Sequence, residues 1–181
     1  MRTQGWRRFG WYVWDQGSGM SGDSNGRLAA AFEFVFHFNR RSVAPEKNRA
    51  TKRAGEKVSP PAQRASNGVA RHRTAGTAPV QPYAIRDSII RVNRQLSAVD
   101  AGGHPAPYPV GVPLELCKSW GGLVYDPFLG SGTTLIAAEQ LGRRCFGLEI
   151  EPLYCDVIVK RWEKLTGKKG KRRKVEIKTR A

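Results

Sequence analysis

The chain has 181 residues, a formal net charge of +16 and a pI near 10.4, which is enough length for one domain and far too basic for a typical acidic cytosolic enzyme. It contains no apolar run of membrane length and no secretory apolar core, and its three cysteines, Cys117, Cys145 and Cys155, have neither Cys-x-x-Cys spacing nor a histidine at zinc-ligand distance. A disulfide scaffold, a metal centre and a membrane span are therefore not expected, and the cysteines read as reduced packing residues of a soluble intracellular protein. In chain order, Phe9-Gly10-Trp11-Tyr12-Val13-Trp14 is the first strand candidate, and Phe32, Phe34, Phe36 and Phe38 alternate with Glu33, Val35, His37 and Asn39 at strand period two. The Gly/Ser-rich stretch 17–26 between them predicts an antiparallel pair over about 9–14 and 32–38. Alternation assigns Glu33 and His37 to the solvent-facing set. Trp11 and Trp14 are expected to pack in the interior rather than stack on a ligand.

The charge is confined to two blocks. Residues 39–73 carry +8 and residues 160–181 carry +9, so the rest of the chain is close to neutral. Concentrated Lys/Arg of this kind seeks phosphate through counterion release. Within the first block Ser59-Pro60-Pro61-Ala62 reads as linker, because it sits in a Pro/Arg-rich stretch with no strand before it and Pro pairs flanked by Ser and Gly mark loops. Between Tyr83 and Val99, Ile85, Ile89, Ile90 and Val92 predict one more short apolar element, either helix or strand. Residues 113–120, from Pro113 to Trp120, read as a helix.

The most informative stretch follows. Val124-Tyr125-Asp126-Pro127-Phe128-Leu129-Gly130-Ser131-Gly132-Thr133-Thr134 is a strand (about 122–126), a glycine turn and a helix start, and Phe146-Gly147-Leu148-Glu149-Ile150 ends a second strand (about 144–149) on an acid. Gly130 and Gly132 let backbone N–H groups face a ligand without side-chain obstruction. Glu149, 19 positions after Gly130, can accept hydrogen bonds from two ribose hydroxyls. Three glycine-loop chemistries compete. A phosphate-binding Walker loop needs a Lys that is absent, and the dinucleotide fingerprint needs a small residue where Leu135 stands. A nucleoside ligand without phosphate remains.

Asp126-Pro127-Phe128-Leu129-Gly130-Ser131-Gly132-Thr133-Thr134, with Gly147-Leu148-Glu149-Ile150-Glu151-Pro152 and Tyr154 after it, resembles the S-adenosyl-L-methionine motif of DNA amino-methyltransferases, in the permuted subclass whose cofactor motif lies near the C-terminus. His104-Pro105-Ala106-Pro107-Tyr108-Pro109 and the following helix are similar to the segment that supports the methionine end in that subclass, so the resemblance covers roughly residues 104–162. It implies methyl transfer to adenine N6 or cytosine N4 of double-stranded DNA, in the cytoplasm of a prokaryote or from a phage gene. It also implies that Asp126, Pro127, Phe128, Gly130, Ser131, Gly132 and Thr133 line the cofactor, with Asp126 orienting the methionine ammonium through the loop and Glu149 holding the ribose. The family's catalytic tetrapeptide, Asp/Asn/Ser-Pro-Pro-aromatic, has no match in the chain, and Ser59-Pro60-Pro61-Ala62 lacks the aromatic that would stack on an extruded base. No catalytic residue is assigned.

The resulting expectation is an α/β, partial Rossmann-like methyltransferase fold lacking its central catalytic strands. Residues 1–38 supply the terminal hairpin, 39–82 a basic, mostly disordered linker or remnant of a target-recognition segment, 83–167 the cofactor half, and 168–181 a basic tail. Two explanations stand side by side: a truncated or split methyltransferase, whose second chain carries the catalytic strands, and a non-catalytic remnant that binds DNA or S-adenosyl-L-methionine.

Overall fold

A computed structural model describes residues 4–17, 26, 28–57, 63–64, 70–71, 79–94 and 108–173. The elements are β1 (Arg7–Asp15), β2 (Phe32–Asn39), β3 (Arg49–Ala50), β4 (Gln63–Arg64), β5 (Ala70–Arg71), β6 (Tyr83–Ala84), β7 (Ile89–Arg91), α1 (Gly111–Ser119), β8 (Val124–Asp126), α2 (Thr133–Gln140), β9 (Cys145–Gly147) and α3 (Pro152–Thr166). Four small sheets result: β2-β1-β7, β3-β6, β4-β5 and β8-β9.

The aromatic hairpin forms as its alternation predicts. Trp11 stands opposite Phe36 and Val13 opposite Phe34, with a bulge between Arg8 and Gly10. The apolar element expected within 83–99 resolves into the short strands β6 and β7, and β7 adds to β1 in parallel, pairing Ile90 with Trp14.

The structure agrees with the sequence reading of the hairpin faces at Trp14, which is inside, and at Glu33, which is exposed, and departs from it at Trp11, which is exposed, and at His37, which is half-buried. Tyr12, Trp14 and Val35 face Val112 and Leu116 of α1, and Trp14, Ile90 and Val112 form the buried cluster there. Trp14 is 6% exposed and its Nε1 donates to the carbonyl of Val92 at 2.7 Å. Glu33 and His37 lie on the α1 side of β2, His37 half-buried and Glu33 exposed. His37 accepts or donates at 2.7 Å with the Tyr12 hydroxyl and lies against Trp120, and Glu33 accepts from Gln16. Phe34 and Phe36 are instead 52% and 54% exposed, and Trp11, expected inside, is exposed with them. Period two separates two faces but does not say which one receives a helix. Only α1 covers this sheet among the described residues, and it lies on the side away from the phenylalanines.

Part of the stretch expected as disordered linker is a hydrogen-bonded ribbon. Arg49 pairs with Ala84, Thr51 N donates to Pro82 O at 2.9 Å, Gly55 N to Val80 O at 2.9 Å and Val80 N to Glu56 O at 2.9 Å. Ser59-Pro60-Pro61-Ala62 lies outside the described residues, as does His104-Pro105-Ala106-Pro107.

The second unit is β8–α2–β9–α3. β8 and β9 run parallel, as a strand-helix-strand crossover requires. Leu129, Ile136, Ala137, Ala138 and Ile158 are buried between them, the two alanines completely, so that α2 lies close to its neighbours. Arg143 joins this unit to α1. Its Nη1 donates to Cys117 O at 2.6 Å and to Trp120 O at 2.8 Å, satisfying carbonyls at the C-terminal end of α1, where a cation is also favoured by the helix dipole.

Candidate cofactor site

The glycine turn is built by a short sequence of backbone bonds. Leu148 N donates to Asp126 O at 3.0 Å, Leu129 N to Leu148 O at 2.9 Å and Gly132 N to Leu129 O at 2.8 Å. These carry the chain from the end of β8 across the end of β9 and into α2. Gly130 and Gly132 have φ of +54° and +84°, left-handed values that favour glycine. At Gly132 space is limiting as well, since an added Cβ would stand 2.9 Å from Ile158 Cγ1.

Glu149 closes the turn. Its Oε2 accepts from Gly130 N at 2.6 Å and its Oε1 from Glu151 N at 2.9 Å. Charge-assisted bonds of this kind fix a carboxylate in one orientation. A cavity of about 570 Å³ opens beside it, lined by Pro127, Phe128, Gly130, Leu148, Glu149 and Ile150. Phe128 and Ile150 are almost fully exposed at its rim. A second cavity of about 390 Å³ lies at the other side of the strand end and collects Asp126, Tyr108 and Thr134 with Trp14, Glu33 and Cys117. Asp126 Oδ1 accepts from Phe128 N at 3.0 Å, so this carboxylate shapes the loop and faces the second cavity. The Tyr108 hydroxyl hydrogen-bonds Thr134 Oγ1 at 2.8 Å, and burial pushes its pKa above the usual tyrosine value, with the charge of Asp126 adding to the rise. Burial likewise raises the Cys117 thiol.

Of the residues expected at the site, Pro127, Phe128, Gly130 and Glu149 share the larger cavity and Asp126 lines the smaller. Ser131, Gly132 and Thr133 line neither. Ser131 and Thr133 are buried, and their hydroxyls turn back toward Arg161 of α3. The sequence reading missed Thr134, Leu148, Ile150 and Arg161. Ile150 and Leu148 adjoin the acid and could have been included by position alone, whereas Thr134 and Arg161 matter through partners 26 to 30 residues away. Among the described residues no group of His, Cys, Asp and Glu could hold a metal ion, and no helix is long and apolar enough to cross a membrane.

A parallel strand-helix-strand unit with a glycine turn bonded to the acid of the second strand has the topology of one half of a Rossmann-like α/β fold. The chain belongs to the DNA methylase family, whose model matches residues 2–160. It is 41% identical over 70 residues to the type II methyltransferase M.ScaI of Streptomyces caespitosus, a match covering 37% of this chain and 23% of that protein. It is 36% identical over 85 residues to the orphan methyltransferase M.BamHII of Bacillus amyloliquefaciens, covering 43% and 32%. In fold it is similar to the M1.HpyAVI–SAM complex (TM-score 0.58, 17% identity, 89% of this chain and 65% of that one). It is also similar to the cytosine-N4-specific PvuII DNA methyltransferase (TM-score 0.53, 17% identity, 87% and 54%). The chain thus has a partial α/β methyltransferase fold, and the matches span between about a quarter and a third of the length of these two curated relatives.

Proposed function

We propose that this chain is the S-adenosyl-L-methionine-binding half of a DNA amino-methyltransferase acting on adenine N6 or cytosine N4, in the cytoplasm of a prokaryote or phage-infected cell. The observation that carries the reading is the bond from Gly130 N to Glu149 Oε2, which sets a carboxylate beside a glycine turn at the open ends of two parallel strands. The donor set fits the cofactor. Glu149, oriented by two backbone N–H groups, takes the ribose hydroxyls, since a carboxylate offers about four lone-pair sites. The apolar rim of Phe128, Leu148 and Ile150 suits an adenine ring, and the smaller cavity, with Asp126 beside Tyr108 and Thr134, suits an ammonium group. The N–H groups of Gly130 and Gly132, expected from the sequence to face a ligand, are bonded to Glu149 and to Leu129 O, so Ser131-Gly132-Thr133 shapes the turn from behind the cavity. When bound, the cofactor supplies an activated methyl on a sulfonium. The basic segments 39–73 and 160–181 would hold double-stranded DNA through its phosphates.

The base-holding tetrapeptide would come from outside these 181 residues, because they contain neither a polar residue before Pro-Pro-aromatic nor, among the described residues, a strand pairing with the outer edge of β8. The test of the site is calorimetric titration with S-adenosylhomocysteine. Glu149→Gln keeps the shape and removes the charge, and we expect affinity to fall about tenfold, the equivalent of one charge-assisted bond. Equal binding by the folded variant would remove the ribose assignment.

A second reading, a non-catalytic remnant that binds S-adenosyl-L-methionine or DNA, is favoured by the same lack of a tetrapeptide. Incorporation of labelled methyl into mixed-sequence DNA separates the two. The chain alone should give background, and a fragment bearing the catalytic strands should restore transfer. No restoration with a fragment that demonstrably binds would leave the remnant reading in place.

A further inference from the structure

We infer that Arg161 is a positioning residue for the cofactor loop, holding the Ser131–Gly132 peptide in the one orientation that presents Gly130 to the site. This rests on the cofactor reading above. Arg161 lies on α3, and its Nη1 donates to the Ser131 carbonyl at 2.5 Å, with Ser131 Oγ at 3.1 Å and Thr133 Oγ1 at 3.4 Å. Ser131 and Thr133 are only 4% and 3% exposed, so these acceptors have little access to water as an alternative partner.

The peptide unit between Ser131 and Gly132 is planar and carries one acceptor and one donor. Both are occupied. The oxygen accepts from Arg161, and the N–H donates to Leu129 O at 2.8 Å. A plane tied at both ends cannot flip, and the chain direction at Gly130, whose own N–H meets Glu149, follows from it. Ile158, one turn earlier on the same face of α3, fills the space that glycine leaves at position 132. α3 therefore contacts the turn from behind at two points, one apolar and one charged.

The charge is placed against the local field. A cation at the N-terminal end of α2 meets the positive pole of that helix, which disfavours it. Its position is explained by the convergence of a carbonyl and two hydroxyls on Nη1, and Lys would reach these less completely because its ammonium ends closer to the α3 backbone.

The experiment uses the full chain and S-adenosylhomocysteine, below the unfolding temperature of every variant. Arg161→Met should bind at least about tenfold more weakly and Arg161→Lys should fall between it and the wild type. Glu139→Ala is the control, since it removes the bond from Trp162 Nε1 at 3.1 Å that joins α3 to α2 without touching the turn. That variant should lose melting temperature but keep its affinity. If Arg161→Met fails to fold, Arg161→Lys decides, and unchanged affinity there overturns the inference. So does an affinity loss in Glu139→Ala that matches the arginine variants. Amide hydrogen exchange at Gly132 in the apo chain reads the pinned peptide without ligand. Faster exchange in Arg161→Lys supports the inference, and an unchanged rate sinks it even if the wild type binds no cofactor. Failure of the folded wild type to bind sinks the cofactor reading alone.

Discussion

Tyr108 shows how a single hydroxyl at this site depends on its surroundings. It is bonded to Thr134 and held above its ordinary pKa of 10.0, chiefly by burial and then by the neighbouring Asp126 charge. Above about pH 10 the unfolded chain loses this proton while the native chain retains it, so the native state becomes progressively less stable as pH rises toward the folded value. Tyr108→Phe removes the titration. The difference in unfolding free energy between wild type and Tyr108→Phe, measured in urea at pH 9 and pH 11, should shift in favour of the variant at the higher pH. A difference independent of pH would mean that the surroundings of the hydroxyl do not hold its proton. This residue also marks the limit of what could be read from the sequence. The Gly130–Glu149 relation was legible because the turn and acid belong to one strand-helix-strand unit with fixed spacing. The bonds from Tyr108 to Thr134 and from Arg161 to Ser131 depend on how separate helices pack, and no local pattern in the chain encodes their partners.

At the scale of elements, α3 is the most clearly delimited piece. Glu151 caps its start by accepting from Leu153 N at 3.3 Å, Pro152 occupies the first turn where its missing N–H costs nothing, and Gly167 ends it in the left-handed conformation with φ of +70°. These stop signals are written in the sequence. Glu151→Ala should cost about 1 kcal/mol of stability, read from the urea midpoint with an unchanged slope. No loss would show that the cap bond contributes nothing net. The hairpin was equally legible as a pair of strands, from the alternating phenylalanines and the glycine-rich link. Its inward face was not, because alternation is symmetric until a helix is placed. The helix that decides it, α1, lies some 80 residues downstream of β2 and puts Val112 and Leu116 on Trp14 and Val35 rather than on Phe34 and Phe36.

For the whole molecule the consequence is an aromatic surface without a cover among the described residues. Trp11, Phe32, Phe34 and Phe36 form neighbouring rings with centroids 5.3–6.3 Å apart, all of them about half exposed. A contiguous patch of this kind is a site of association. The isolated chain should therefore sediment as concentration-dependent oligomers, and Phe34→Thr combined with Phe36→Thr should shift it toward monomer without loss of helix signal. Oligomers that persist unchanged in the double variant would place the contact elsewhere. The fold class, the hairpin and the acid-glycine pair were all within reach of the sequence, while the bare face emerged only when the layers were assembled. The bracing of the turn by Ile158 and Arg161 has a further meaning when the protein is made. Synthesis proceeds from the N-terminus at about 5–20 residues per second, so Gly132 leaves the peptidyl-transferase centre some seconds before Arg161 is added. Until α3 has been made, the glycine turn of the nascent chain has neither Ile158 nor Arg161 behind it.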